Sequence, residues 1–386
     1  MKQVRIGVDV TGIFLMSEIQ SGTLTFSSSI FTASVLEGFV KAGLAENITL
    51  FAFGWARDAL RERFPGVNIV SVGNRLTDKA CSMLNRDVYF RMDTQRMLER
   101  AVANSNIDVL WNPWTNRVKG EFGKPSVVTI HDMIEYEETN DDAYRDGFDE
   151  AVAQADHIIT PSQYIKEHLM SRYAFEEDMI SVIPNAFVEE DRTQKAILGL
   201  PEKYILDVNA YKEHKNAITL IAAFDLIRDQ TDCDLVLCGY GKDDEFYGRM
   251  LAEIKDRNLS DRVRFYYRIA KPEVEWLYNH AQMLVNPSLS EGFGRTPIEG
   301  ALHNIPVLTS KATCLYEATL GMLEYVEDPC NPAEYAEKIL KILNTGCAYD
   351  MRKAREAFLE HYNQEKIAGQ YMQTCAEIVE RKGGKQ

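Results

Sequence analysis

An alternation of short apolar strands with amphipathic helices runs through this chain twice, and it leaves few folds open. Runs rich in valine and isoleucine recur at residues 4–10, 48–53, 69–72, 109–111, 127–130, 158–160 and 181–183, each of a length suited to one buried strand. Between several of them, stretches such as 31–41, 94–103 and 164–173 repeat apolar residues at three and four positions and predict helices. Strands joined through helices form parallel sheets covered on both faces, because a parallel crossover needs a dozen or more residues. The rhythm pauses over the polar, charge-rich residues 186–200 and resumes with strands at 204–208, 235–238, 263–266, 283–286, 306–309 and 324–326. The expectation is an α/β chain of two Rossmann-like, doubly wound parallel-sheet domains, residues 1–188 and 189–360. A C-terminal helical segment, 361–386, is expected to pack back toward the first domain. Ligands of open parallel sheets sit beyond the carboxyl ends of the strands, so two such domains facing each other would frame a central cleft.

Composition narrows the partners. With 386 residues, 45% of them hydrophobic, the chain can bury more than one core, which excludes extended disorder. Against 43 Lys and Arg stand 58 Asp and Glu, a formal net charge of -15 that repels a phosphate backbone. Arginines that could form a basic face, such as Arg57, Arg61 and Arg63, are interleaved with Asp58 and Glu62, so no nucleic acid is expected as a partner. The seven cysteines show no CxxC or Cys/His spacing, which points to reduced thiols and a cytoplasmic protein. The first residues lack a charged-then-apolar leader pattern, and no run approaches 18 apolar residues, so neither a secretory leader nor a membrane span is expected.

The densest constellation follows the strand at 283–286: Pro287, Ser288, Glu291, Gly292, Phe293, Gly294, Thr296, Pro297, Glu299 and Gly300. It reads as a strand end, a glycine-containing loop and a helix start, with Thr296 as N-cap, Pro297 at the first helical position and Glu299 closing a capping box. Gly292 and Gly294 would let the backbone approach a ligand, and the positive end of the helix would favour a diphosphate. On spacing alone, Glu299 could equally be a capping acid and Glu291 a surface loop acid.

The whole string resembles the glutamate-x7-glutamate signature of the retaining glycosyltransferases of family 4, in the form PSxxEGFGxxxxEA, with Gly300 where alanine is usual. Other segments agree in order and spacing. Residues 126–132, ending in His131 and Asp132, resemble the family's vvtxHD; 159–164 resemble vitvSxxs; 182–186 resemble vIPNG; 235–241 resemble lvlvGxG; and 305–310 resemble xPVvxS. The vvtxHD form is similar to that of mannosyl- and rhamnosyltransferases of surface polysaccharide synthesis.

This resemblance implies a GT-B fold with an acceptor-side N-terminal domain and a donor-side C-terminal domain. It implies a nucleotide-diphosphate sugar as donor, a glycan or lipid-linked saccharide as acceptor, and neither a metal nor another cofactor. A lipid-linked acceptor would bring peripheral contact with the inner membrane face. By the same resemblance His131, Glu291 and Lys215 carry catalysis: His131 beside the donor sugar and its diphosphate, Glu291 on the sugar, Lys215 on the diphosphate. Gly22, Lys212, Asn209, Gly292, Phe293, Gly294, Thr296 and Glu299 would bind the donor, Glu299 through the ribose hydroxyls.

The chain also departs from the family pattern. The motif vGRxxxxKN keeps Lys215 and Asn216, but Asn209 and Ala210 stand where glycine and arginine are usual. Half of the cationic clamp is therefore missing, and Lys212 or His214 are the candidates to replace it. Ala186 replaces the glycine of vIPNG, and the glycine-rich loop expected after the first strand leaves Gly22 as its candidate. Taken without the resemblance, His131 is as often structural as catalytic, Asp132 could orient it or cap a helix, and Lys212 could be solvated. The pairs at 141–142 and 243–244 read as helix caps or solvated acids rather than metal ligands. Rival readings are a sugar-nucleotide epimerase, a phosphorylase, or a sugar-nucleotide-binding protein with impaired catalysis.

Overall fold

The computed structural model describes residues 4–14, 18–19, 24, 27–73, 94–115, 122–187, 193–241 and 245–383. The chain divides into two compact units, Met1–Val188 with Tyr362–Gln386, and Glu189–His361.

The first unit is built on seven strands: β1 (Ile6–Asp9), β2 (Ile48–Ala52), β3 (Asn68–Ser71), β4 (Val109–Asn112), β5 (Ser126–Thr129), β6 (His157–Thr160) and β7 (Ile180–Val182). They lie in the order β3-β2-β1-β4-β5-β6-β7, and every pairing is parallel. The order reverses between β1 and β4, and this is the point where a doubly wound sheet opens a crevice at its carboxyl edge. β1, β4, β5 and β6 are buried at every position, as strands covered on both faces must be. Trp111 is fully buried, and its indole N–H donates to Thr129 Oγ1 at 2.9 Å, so the largest side chain of the sheet leaves no polar atom unpaired.

The C-terminal helix Gln364–Gly383 belongs to this unit. It lies along the helix Ser27–Lys41, where Lys41 Nζ donates to Gln364 Oε1 at 2.6 Å, and it buries Ile367, Tyr371, Cys375 and Ile378 in the same core. Where the chain returns from the second unit, the Phe187 N–H donates to the Tyr362 carbonyl at 2.9 Å.

The second unit holds β8 (Tyr204–Val208), β9 (Asp234–Gly239), β10 (Val263–Tyr267), β11 (Met283–Asn286), β12 (Val307–Ser310) and β13 (Glu324–Val326). Their order is β10-β9-β8-β11-β12-β13, again wholly parallel, with the reversal between β8 and β11. The helix Ala217–Ile227 packs on Pro332–Thr345, and their apolar faces close one core of the unit. All thirteen expected strands are present, with ends shifted by one or two residues. Strand ends are set by the last paired backbone group rather than by the last apolar residue, which accounts for such shifts.

The six cysteines among the described residues are all free thiols, and Cys233, Cys238, Cys314 and Cys375 are buried. Among the described residues no helix is long and apolar enough to cross a membrane.

Candidate active site

The signature string begins where β11 ends, beside β8 at the strand reversal of the second sheet. Lys215 Nζ donates to Glu291 Oε1 at 2.6 Å, with the two side chains only 16% and 13% exposed. The pair is held from both sides. Lys215 sits in the single turn Glu213–Lys215, which is fixed when the Leu289 N–H donates to the His214 carbonyl at 2.7 Å. Asn216, in a left-handed conformation, donates its Nδ2 to the Pro287 and Pro329 carbonyls at 3.0 and 2.7 Å. On the other side, the Glu291 N–H donates to Thr313 Oγ1 at 3.1 Å, and Cys314 Sγ donates to the Glu291 carbonyl at 3.0 Å. Lys215 and Glu291, 76 residues apart, are thus brought together by loops that bond to each other's backbone.

The helix after the loop does not start as its sequence suggests. Gly294 is its N-cap, in a left-handed conformation with φ 84°, and the helix runs Arg295–Leu302. Thr296 and Pro297 therefore fall at the second and third helical positions, and the expected capping box between Thr296 and Glu299 does not form. Thr296 Oγ1 instead donates to the Val208 carbonyl at 3.1 Å and ties the helix to the end of β8. The left-handed turn at Gly294 begins the helix early. A Cβ there would also come within 2.4 Å of Leu315 Cδ2, so shape and backbone both demand glycine. Gly300 has a similar cause: a Cβ would lie 2.6 Å from Leu284 Cδ2, which accounts for the departure from alanine.

Released from capping, Glu299 is half-exposed. It accepts from Arg295 Nε at 3.3 Å and from the Tyr278 hydroxyl at 3.4 Å. Arg295 and Tyr278 were not singled out from the sequence, although the four-residue spacing of Arg295 and Glu299 is that of a helical ion pair. Gly292 and Phe293 are buried beneath the loop.

At the end of β8, Asn209 Nδ2 donates to Asp207 Oδ1 at 2.5 Å. Both residues are buried. Burial raises the Asp207 carboxyl to about 7, against the lowering effects of the Asn209 bond and the Lys215 charge, and Glu291 adds to the rise. Asn209 thus faces an acid of its own strand. Ala210 contributes no cation, and Lys212 is exposed.

His131 belongs to the first unit, just beyond β5. Its ring lies edge-on to Phe31 at 4.4 Å and stacked on Trp114 at 4.6 Å between centroids. Its Nε2 meets the Pro113 carbonyl at 3.0 Å. A carbonyl only accepts, so Nε2 carries the hydrogen. Burial lowers the imidazole to about 4, against the bond to Pro113, so the ring is neutral at pH 7 and Nδ1 is an acceptor. Asp132 Oδ1 accepts from the Ile134 N–H at 3.0 Å, at the start of a short helix. Asp141 caps the helix Asp142–Gln154 through the Ala143 and Tyr144 N–H groups. Gly22 and the acids at 243–244 lie outside the described residues. Among the described residues, no group of three or more His, Cys, Asp or Glu is arranged to hold a metal ion.

Residues 30–190 match the family described as Glycosyltransferase Family 4, and residues 189–360 match Glycosyl transferases group 1. The two matches adjoin, and the chain belongs to this family of glycosyltransferases, with the GT-B fold. It is 31% identical over 177 residues to the O-antigen chain mannosyltransferase RfbU of Salmonella typhimurium, covering 46% of this chain and 48% of that protein. It is 25% identical over 249 residues to the O-antigen chain mannosyltransferase B of Escherichia coli, covering 60% and 64%. The chain thus spans less than two thirds of either relative. Among solved structures, HepE of Anabaena in complex with UDP and glucose superposes with a TM-score of 0.68 at 15% identity, over 97% of this chain and 100% of that one. A glycosyltransferase of Rickettsia africae gives 0.69 at 15% identity, over 98% and 99%.

Proposed function

We propose that this chain is a retaining glycosyltransferase of glycoconjugate biosynthesis. It moves a hexosyl unit from a nucleotide-diphosphate sugar to a hydroxyl of a glycan or lipid-linked saccharide. The observation that carries this reading is the nearly buried Lys215–Glu291 pair at the strand reversal of the second unit, with Glu291 three residues before the helix N-cap Gly294.

In the reaction, the bond between the anomeric carbon and the diphosphate oxygen breaks. A bond from the acceptor oxygen to that carbon forms on the same face, and the acceptor's proton passes to the departing diphosphate. The main demand on the protein is to steady negative charge as it gathers on the diphosphate, which preorganised dipoles and cations do best.

Lys215 and the helix start at Gly294 are the groups for that task. In the ligand-free chain Glu291 neutralises Lys215, so a bound diphosphate would share the lysine and leave Glu291 to accept from hydroxyls of the sugar. Asp207, raised to about 7 by burial, is only partly ionised at neutral pH and so adds less than a full negative charge beside the diphosphate. Glu299 would accept from the ribose hydroxyls. Asn209 would bind the donor only by way of Asp207, and Lys212, being exposed, is the less favoured replacement for the missing arginine. The neutral His131 would serve as a hydroxyl acceptor rather than as a proton donor to the leaving group. With lysine and helix in that role no metal is invoked, so turnover should survive a chelator. The mannosyltransferase relatives make a mannosyl donor the first to try, and the UDP-bound HepE structure makes UDP the first nucleotide carrier to try.

The test is incubation with a panel of nucleotide sugars and saccharide acceptors, with NMR of the product's anomeric centre. Nucleoside diphosphate should be released only when an acceptor is present, and the donor's anomeric configuration should be kept. An inverted product, or an epimer formed without acceptor, would contradict the proposal.

A further inference from the structure

Glu299, the second acid of the signature string, is held at both of its ends by one stack of two rings. Its backbone carbonyl accepts from His303 Nδ1 at 2.7 Å, and its carboxylate Oε2 accepts from the Tyr278 hydroxyl at 3.4 Å. The two rings are stacked, 4.5 Å apart between centroids and 14° from parallel. His303 follows directly on the helix Arg295–Leu302, and Tyr278 stands on the helix Lys271–His280, so the stack bridges two helices of the second unit. Glu275, three residues before Tyr278, fixes the stack from the other side: its Oε2 meets His303 Nε2 at 2.8 Å. The His303 and Glu275 side chains are only 7% and 14% exposed, and Tyr278 is buried.

Ending a helix requires much less. The His303 main-chain N–H already donates to the Glu299 carbonyl at 3.1 Å, which serves the last turn. The ring adds a second bond to the same carbonyl and turns its other nitrogen to a nearly buried acid. Burying a carboxylate is costly unless it is paired, and here the partner is the ring that grips Glu299. A carbonyl only accepts, so Nδ1 carries a hydrogen and Nε2 is left to face Glu275. The two bonds pin the imidazole plane, and that plane sets the Tyr278 ring stacked on it. Burial raises the Tyr278 hydroxyl well above its ordinary range, and the Glu299 charge adds to the rise, so the hydroxyl stays a donor. The other Glu299 oxygen is 3.3 Å from Arg295 Nε. With the stack loosened, Arg295 would draw the carboxylate toward itself.

We propose that His303 and Glu275 are positioning residues for the nucleotide: by way of Tyr278 they hold the Glu299 carboxylate in the orientation that accepts from the ribose hydroxyls. A half-exposed acid binds with precision only when supporting bonds lock its rotamer, and this stack supplies them. The proposal rests on the glycosyl-transfer reading, which puts Glu299 on the ribose, and extends it to two residues outside the signature string that touch no ligand themselves.

The test is calorimetric titration of the full chain with UDP or GDP, whichever binds the parent more tightly, and with the 2′,3′-dideoxy form of that nucleotide, which lacks the hydroxyls in question. The parent should prefer the intact nucleotide about tenfold or more, and Glu299→Ala should erase the preference. His303→Phe keeps a ring against Tyr278 without its nitrogens, and Glu275→Ala keeps the histidine but releases it. Each should lose most of the preference by weakening the intact nucleotide, with affinity for the dideoxy form unchanged. Glu275→Gln, which keeps an acceptor for Nε2, should restore it. A purely structural role would weaken both forms alike, and binding of the dideoxy form shows that a variant is folded; should His303→Phe fail to fold, Glu275→Ala decides. If His303→Phe and Glu275→Ala keep the parent's preference, or lose affinity for both forms equally, the proposal alone is overturned. If the parent shows no preference, or binds neither nucleotide, Glu299 does not meet the ribose, and the donor-site reading falls together with the proposal.

Discussion

The strand reversals of the two sheets are built alike and furnished differently. In each, the two central strands carry buried polar residues at or next to their ends, Asp9 and Asn112 in the first unit, Asp207 and Asn286 in the second. The second adds a lysine, two acids and a helix that starts on a left-handed glycine, so it is suited to a charged ligand. The first offers an amide, a carboxylate, a neutral imidazole and an indole face, a set without the lysine–glutamate pair of the second. A shared architecture thus fixes where a ligand sits, and the residues placed there decide its chemistry.

The contrast can be broken by substitution. The largest effect is expected for Lys215→Ala: removing the cation that steadies the leaving diphosphate should lower kcat by about 10²–10³. Steady-state kinetics would check this, and near-normal turnover would mean that another cation, Lys212 or Arg295, holds the diphosphate. Glu299→Ala should weaken nucleotide binding about tenfold, at a cost of about 1–2 kcal/mol in stability because the buried Tyr278 hydroxyl loses its acceptor. Unchanged affinity in a calorimetric titration would reduce Glu299 to a partner of Arg295.

Two titratable groups, Asp207 near the end of β8 and His131 beyond β5, should respond to pH with opposite signs. The Asp207 carboxyl is raised from 3.8 to about 7, so the stability it contributes is present at acid pH and lost as pH rises from about 4 to about 7. Asp207→Asn should therefore raise the thermal midpoint more at pH 8 than at pH 5, by on the order of 5 °C. The His131 imidazole is lowered from 6.5 to about 4, so its contribution is present above 6.5 and lost as pH falls toward 4. His131→Gln should lessen the acid-side loss of stability and leave the alkaline side as it was. Thermal melts across pH 4–9 test both, and a shared sign would undo the contrast. Gly294→Ala should cost about 1–2 kcal/mol of stability, read as a lowered thermal midpoint, because φ 84° disfavours any side chain.

How far the sequence spoke depended on how local each signal was. The strands were legible because apolar runs report burial directly, and the signature string was legible because Glu291, Gly294 and Glu299 lie within nine residues of one another. The helix start was misread by two residues: Thr296 and Pro297 carry the usual cap signals, but the turn at Gly294 and the bond from Thr296 to Val208 outweigh them. Asn112 gave no signal at all. A polar residue at the end of an apolar strand is common, and only the fold brings Asn112 to the same pocket as Asp9, more than a hundred residues earlier. His131 was found by its motif, but its protonation and tautomer were set by Pro113, Phe31 and Trp114, none of which the motif contains.

The central claim is that the diphosphate is held at the second unit's reversal and not at the first. Calorimetric titration of the full chain with nucleoside diphosphates, UDP and GDP first, tests it most directly in the parent chain, Lys215→Ala and Asn112→Leu. Affinity should fall about tenfold or more with Lys215→Ala and hold steady with Asn112→Leu. Equal losses in both, or none with Lys215→Ala, would contradict it.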